Sequence, residues 1–342
     1  MVDDLICLNL EENILRVAKA SNAEGKINID ILAYQSDLPA FFESDTQKVF
    51  NDEALLLKKL IDNLKLRKKP VDIVIPDGFT YSQILYMPRL KEKELLSAIK
   101  YQADQFIPMS IEDTSLDLEI LYEDKLANNL LVLIVAAPQN LIERIQRLAE
   151  QVGLFPESIE NELSATGRFL ANFYNPPSPE GGSIFINLGY SSTNFYFFDH
   201  KLKLFMDSHS FQAGLSVFLR EAQADINVDL AKAKDLLKRI GFSQDSSVDL
   251  IQILQPAVDV LCSELQKFIN SVRTKFQTSS ISRIYLFNLA NEINLIDKTI
   301  EKSISIPSAI FDPLPITKKT SSIEPFIRDL PSFIPAIGGC LE

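Results

Sequence analysis

The stretch Met87 to Leu121, MPRLKEKELLSAIKYQADQFIPMSIEDTSLDLEIL, constrains the fold most, because two periodicities follow each other across a proline. Leu95, Leu96, Ile99, Ala103 and Phe106 fall at helical spacing, with Lys93, Glu94, Lys100, Gln102 and Asp104 between them, so an amphipathic helix is expected from Glu92 to Phe106. Pro88 precedes it and Pro108 stops it. Beyond the polar link SIEDTS, Leu116, Leu118 and Ile120 alternate with Asp117 and Glu119, the period of a half-buried strand. With Ser82 to Tyr86 in front, the order is strand, helix, strand.

A chain of 342 residues suggests two domains, or one architecture with subdomains. Its 46% hydrophobic and 23% charged residues allow a sizeable core. A formal net charge of -12 argues against nucleic-acid binding, since the protein's field would repel a polyanion. The basic cluster Lys65, Arg67, Lys68, Lys69 reads as a solvated helix end. Cys7, Cys262 and Cys340 are odd in number, widely separated and without C-x-x-C spacing, which indicates neither a disulfide framework nor a zinc site and fits a reducing cytosol. The first residues lack a basic region, and the apolar run Leu130 to Ala137 is far below the roughly 20 residues of a membrane helix, so a cytoplasmic chain without direct membrane insertion is expected.

Taken in order, Leu5 to Leu10 reads as a buried strand, turned at Glu11-Glu12-Asn13 into a second strand from Ile14 to Ala18, with a third from Ile27 to Tyr34. Helical spacing from Asp52 to Leu66, with Asp52 as N-cap, leads to a short buried strand from Val71. Leu130 to Ala137 is another strand, and a helix from Asn140 to Val152 closes at Gly153. Asn175 to Gly182, rich in proline and glycine, is the clearest linker. After it come strands at Ser183 to Leu188 and Thr193 to Asp199, with His200 at a hairpin tip. Helices follow at Leu230 to Ile240 and from Pro256 onward, then a core strand at Ser282 to Phe287, a helix at Asn294 to Ser303 and an edge strand at Ser308 to Phe311. No G-x-S-x-G or H-E-x-x-H spacing supports a hydrolase or zinc protease.

Met87-Pro88, Glu94 to Ile99, Ile107-Pro108, Leu116-Asp117 and the Gly153-Leu154-Phe155-Pro156 turn together resemble the PilM family of type IV pilus assembly. The resemblance implies an α/β, actin-like (ribonuclease H-like, duplicated) fold carrying an inserted strand-helix-strand-strand-helix subdomain. Residues 1–80 and 156–175 would form the first actin-like subdomain, 81–155 the insertion, 181–214 and 281–342 the second actin-like subdomain, and 215–280 a helical outer subdomain.

In actin-like ATPases two hairpin turns, each with an acid and a glycine, hold the metal and the phosphates. Where the family has Asp-x-Gly-Ser-Ser, this chain has Asn9-Leu10-Glu11-Glu12-Asn13. The second turn, Asn187-Leu188-Gly189-Tyr190-Ser191-Ser192, keeps its glycine and loses its acid. The glycine-rich turn on the adenosine becomes Leu286-Phe287-Asn288-Leu289-Ala290-Asn291, while Glu264 and Lys267 match a Glu-x-x-Arg/Lys helix. The resemblance therefore implies a degenerate nucleotide cleft at Asn9, Asn13, Asn187, Gly189, Ser191, Glu264 and Asn288, with no catalytic residue, no metal and no firm cofactor; ATP with Mg²⁺ is the alternative. The plainer reading of Asn9 and Asn187 is two turn residues hydrogen-bonded to backbone.

The family likeness implies a cytoplasmic adaptor, recruited to the inner face of the membrane. Its partner would be the cytoplasmic segment of a PilN-like inner-membrane protein, with other pilus motor components as further candidates. The groove would be edged by Ser82 to Met87 and the helix from Glu92 to Phe106. The rivals are an FtsA-like ATPase that switches or polymerises, and an actin-like scaffold outside pili. The chain ends at Leu341-Glu342 without the amphipathic membrane helix of FtsA, which favours the adaptor.

Overall fold

The computed structural model describes residues 5–90, 94–95, 97–99, 107, 109–244, 250–276 and 280–341. The chain divides into two compact units, one of Met1–Phe173, Ile316–Pro325 and Pro335–Glu342, the other of Tyr174–Pro315 and Phe326–Ile334. Residues 316–325 and 335–341 thus belong with the first unit, whereas the sequence reading grouped them with the second.

In the first unit the strands are β1 Ile6–Leu10, β2 Ile14–Ala23, β3 Lys26–Ser36, β4 Pro70–Ile75, β5 Tyr81–Pro88, β6 Thr114–Asp124, β7 Asn129–Pro138 and β8 Phe155–Asn161. They form a five-stranded sheet of order β3-β2-β1-β4-β8 and a three-stranded sheet of order β5-β7-β6. β1, β2 and β3 are antiparallel neighbours, while β4 runs parallel to β1 and β8 parallel to β4. All five residues of β1 are buried, as expected of a central strand covered on both faces.

One face of the larger sheet packs on the helices Gln47–Leu64 and Gln139–Gln151, which place Leu57, Ile61, Ile145 and Leu148 in one core with Leu8 and Ile73. The first helix begins a turn before the expected Asp52: Thr46 is its N-cap and Thr46 Oγ1 accepts from the Val49 N–H at 3.4 Å. The buried Phe50 extends the apolar face into that added turn. The second helix ends as its sequence suggests. Gly153 has φ +84°, and the Gly153 and Leu154 N–H groups donate to Glu150 O and Ala149 O, both at 3.0 Å, a Schellman arrangement.

In the smaller sheet Leu116 and Leu118 pack with Leu95, Ile99, Leu130, Val132 and Ile134. Residues 94–95 and 97–99 are helical; the rest of the expected helix and its stop at Pro108 lie outside the described residues. Ile120 is exposed instead of half-buried, because the β6 register shifts between Ile120 and Tyr122 and breaks the alternation.

The second unit repeats the scheme. β9 Gly182–Leu188, β10 Thr193–Asp199, β11 Leu204–Phe211, β12 Ile281–Asn288 and β13 Ser308–Ile310 form a sheet of order β11-β10-β9-β12-β13. Its first three strands are antiparallel and its last two join in parallel, the same plan as the larger sheet of the first unit. Helices Leu215–Ile226, Leu230–Arg239 and Leu250–Lys275 follow the hairpins. Pro256 does not open the long helix but lies inside it. The helix tolerates the missing N–H there because Leu250 and Leu254 on one side, and Ala257, Val258 and Leu261 on the other, are all buried.

Glu53 is a buried anomaly of the first core. It is 2% exposed, and its Oε2 has no hydrogen-bond partner among the described residues. Burial pushes its carboxyl up to about 7. An unfolded chain releases this proton near a glutamate's ordinary value of 4.5 while the folded protein keeps it to about 7, so stability is highest below that window and falls as pH rises through it. Urea unfolding is expected to lose roughly 3 kcal/mol across the window from this group, and Glu53→Gln is expected to remove that loss. A wild-type and variant pair with parallel pH profiles contradicts the assignment.

Candidate functional site

The two turns singled out in the sequence are built from buried polar side chains. In the first unit Asn9 on β1 is fully buried, and its Nδ2 reaches Val74 O at 3.5 Å. Its Oδ1 is also buried and has no partner among the described residues, as is true of Asn13 Oδ1. Glu11 lies in the turn with its N–H on Ile14 O at 3.0 Å. Arg16, opposite Asn9 in the β1–β2 register and 1% exposed, donates from Nη1 to Glu11 Oε1. Glu11, one of the turn's two acids, is therefore paired inside its own unit. Sequence reasoning passed over Arg16; the signal was a charged residue inside the apolar run of β2.

In the second unit Asn187 Nδ2 donates to Tyr196 Oη at 3.3 Å, and Asn288 Nδ2 donates to Asn187 Oδ1 at 3.0 Å. The structure thus joins two of the candidate residues, through side chains. Asn288 has φ +60° at the end of β12, a positive-φ conformation that favours glycine. Gly189 donates its N–H to Ser192 O at 2.9 Å across the turn that holds Ser191. The Gly189 and Tyr190 carbonyls accept from the Leu215 and Ser216 N–H groups, both at 2.9 Å. Two of the donors at the start of the helix Leu215–Ile226 are thereby engaged by protein carbonyls. A Cβ at Gly214 would stand 2.5 Å from both of those carbonyl oxygens, so this close approach requires glycine. Glu264 pairs elsewhere, with Lys267 Nζ at 2.6 Å and His209 Nε2 at 3.5 Å, and the Lys267 hydrogen bond holds its carboxyl below the usual range. His200 sits in its turn, but its ring is buried, with Nε2 2.9 Å from Ser183 Oγ.

A cavity of about 460 Å³ lies in the first unit between two sheet edges, β8 of the larger sheet and β6 of the smaller. Asp72, Ser158 and Glu160 face it from one side; Asp117, Glu119 and Val135 face it from the other. None of Ser82 to Met87 lines it; Leu85 and Met87 instead pack with Leu130, Val132 and Ile134 against the helical residues Leu95 and Ile99. This cavity is a different surface from the groove edge expected at Ser82 to Met87, and most of the helix expected from Glu92 to Phe106 lies outside the described residues. Arg168, from the helix Glu162–Phe173, crosses the floor: Nη1 donates to Glu160 Oε2 at 2.7 Å, Nη2 to Glu160 Oε1, and Nε to Leu341 O at 3.0 Å. Asp72 accepts from Ser158 Oγ, and its other oxygen is 3.8 Å from Arg168 Nη2.

Desolvation and the neighbouring Glu160 carboxylate push the Asp72 carboxyl up to about 9, against the pull of Arg168. Glu119 is exposed at the rim, yet its carboxyl is also raised, first by partial desolvation and then by Glu160 and Asp117, with Arg168 opposing. Sequence reasoning missed this cluster, although Asp72 stands alone among the apolar residues of β4. Among the described residues, no group of three or more metal-ligating side chains is assembled and no helix is long and apolar enough to cross a membrane.

Two units with the same five-stranded order, hairpin strands on one side and parallel strands on the other, define an actin-like ATPase fold with an inserted subdomain. Solved structures of this class agree. The PilM-PilN type IV pilus biogenesis complex matches 99% of both chains at 17% identity and a TM-score of 0.84. EutJ, the ethanolamine utilization protein of Carboxydothermus hydrogenoformans, matches 98% of this chain and 88% of its own at 9% identity and a TM-score of 0.57. MreB 5 of Spiroplasma citri bound to AMPPNP matches 99% and 95% at 12% identity and a TM-score of 0.53. A search of curated protein sequences found no match. The family described as type IV pilus assembly protein PilM matches residues 8–342, and the chain belongs to it.

The buried Glu11–Arg16 pair carries a direct test. Arg16→Ala leaves Glu11 buried without its cation and is expected to cost about 3–5 kcal/mol in denaturant unfolding. Removing both charges, as Glu11→Gln with Arg16→Met, is expected to recover most of that loss. A loss below about 1 kcal/mol for the single variant contradicts the pairing.

Proposed function

We propose that this protein is a cytoplasmic adaptor of type IV pilus assembly that works by binding rather than catalysis, holding the cytoplasmic segment of a PilN-like inner-membrane protein in the cavity between β6 and β8. The observation that carries the reading is that cavity: about 460 Å³, placed between two sheet edges and lined by both apolar and charged side chains. The structural likeness to a PilM chain described as a complex with PilN supports the choice of partner. Through such a partner the adaptor is recruited to the inner face of the membrane.

The nucleotide cleft is degenerate in this reading. Asn9 and Asn187 stand where the family's acids would hold a metal, and an amide cannot supply that charge. Asn187 is engaged by Tyr196 and Asn288, and Glu11 by Arg16, so these polar groups already serve the units that contain them. Titration of the full chain with a fluorescent ATP analogue and Mg²⁺ is expected to show no micromolar binding. Micromolar binding, or hydrolysis above background, overturns the degenerate reading in favour of an actin-like ATPase that switches or polymerises.

The adaptor reading is tested separately by calorimetry, with a synthetic peptide of the PilN-like protein's cytoplasmic segment titrated into the full chain. Saturable binding is expected, and Val135→Arg, which places a bulky charge on the cavity wall, is expected to weaken it about tenfold or more. A folded protein that binds no peptide contradicts the reading.

A further inference from the structure

Charge is unequally distributed around the cavity between β6 and β8. Four carboxylates line it, those of Asp72, Asp117, Glu119 and Glu160, against the one guanidinium of Arg168. Arg168 is committed to Glu160 through both terminal nitrogens and to Leu341 O through Nε, which leaves Asp72 only the longer 3.8 Å approach. The remaining groups near Asp72, the thiols Cys7 and Cys340, are buried or half-buried and bring no positive charge. Around Glu119 the charged neighbours are Arg168, Glu160 and Asp117. One cation is thus shared among more acids than it can neutralise, in a space still open to a visitor.

The walls supply the second condition. β8 ends the larger sheet and β6 ends the smaller, so each offers a strand with one side unpaired by any strand. On β6 the Leu118 N–H is taken by the adjacent Asp117 Oδ1 at 2.8 Å, a local substitute for a strand partner that an incoming chain can displace. A sheet edge receives an extended segment through main-chain hydrogen bonds, while pockets beside it select alternate side chains.

We infer that the cavity takes an extended segment carrying a lysine or arginine, whose cation settles among Asp72, Glu119 and Glu160 opposite Arg168. This rests on the adaptor reading and adds to it the chemistry by which the partner is selected. Because burial and mutual repulsion keep a proton on the carboxyl cluster in the free protein, arrival of the cation lets that proton leave to solvent. Association therefore releases protons and tightens as pH rises towards the range where Asp72 ionises in the free protein.

The test uses the full chain and the synthetic peptide of the PilN-like protein's cytoplasmic segment, in two forms: native, and with each lysine and arginine in turn replaced by norleucine. One replacement is expected to weaken binding roughly tenfold to a hundredfold. The same replacement is expected to abolish the proton release read by comparing calorimetry in phosphate and Tris buffers. Glu119→Gln, at the exposed rim, is expected to weaken the native peptide and to have much less effect on the norleucine form; a fold defect would weaken both alike. Native and norleucine peptides that bind equally well, with no proton released by either, overturn the inference and leave the adaptor reading standing. A native peptide that does not bind overturns both.

Discussion

A guanidinium taken out of water must find carboxylates, and Arg168 meets that demand by tying four separate pieces of the first unit together. It belongs to the helix Glu162–Phe173, holds Glu160 on β8 with both terminal nitrogens, approaches Asp72 on β4 and donates to Leu341 in the closing segment. The closing helix Ile334–Gly339 comes in tightly enough that a Cβ at Gly338 would stand 2.0 Å from Ala165 O. Charge pairing and close backbone approach therefore fix the same corner of the sheet. The pairing is incomplete, because Glu160 uses most of the cation and Asp72 is left with a proton instead. An imperfectly satisfied buried group at the wall of a cavity is unfavourable for the free protein and useful to one that must bind a cation.

The duplicated units satisfy the polar groups of their turns in different ways. The first pairs Glu11 with an arginine on the neighbouring strand; the second knits its asparagine to a tyrosine and another asparagine. The Gly189–Tyr190 carbonyls engage the start of the helix Leu215–Ile226, using two N–H groups of the kind that elsewhere cradle anions.

Much of the fold was legible because it is written locally. The hairpins of β1 with β2 and β9 with β10, the Gly153 helix stop and the parallel strands β4 and β12 each follow from spacing and turn residues within a few positions. What failed locally did so for physical reasons. The cap of the first helix moved to Thr46 because burial of Phe50 adds a turn. Pro256 reads as a helix start, yet surrounding packing carries the helix through it. The matching order of the two sheets, and the meeting of Asp72, Glu119, Glu160 and Arg168, depend on residues up to about a hundred positions apart, which no single window contains. The two candidate turns could be located through the family likeness, but Arg16 and Tyr196, which hydrogen-bond to Glu11 and Asn187 there, come from neighbouring strands.

Hydrogen–deuterium exchange of the full chain, with and without the PilN-like cytoplasmic peptide, tests most directly whether the cavity is where this protein works. The account predicts protection concentrated on residues 114–120 of β6 and 155–161 of β8, with the turn at residues 189–192 unchanged. Protection centred on the 9–13 and 189–192 turns, with the β6 and β8 edges exchanging as in the free protein, would contradict it.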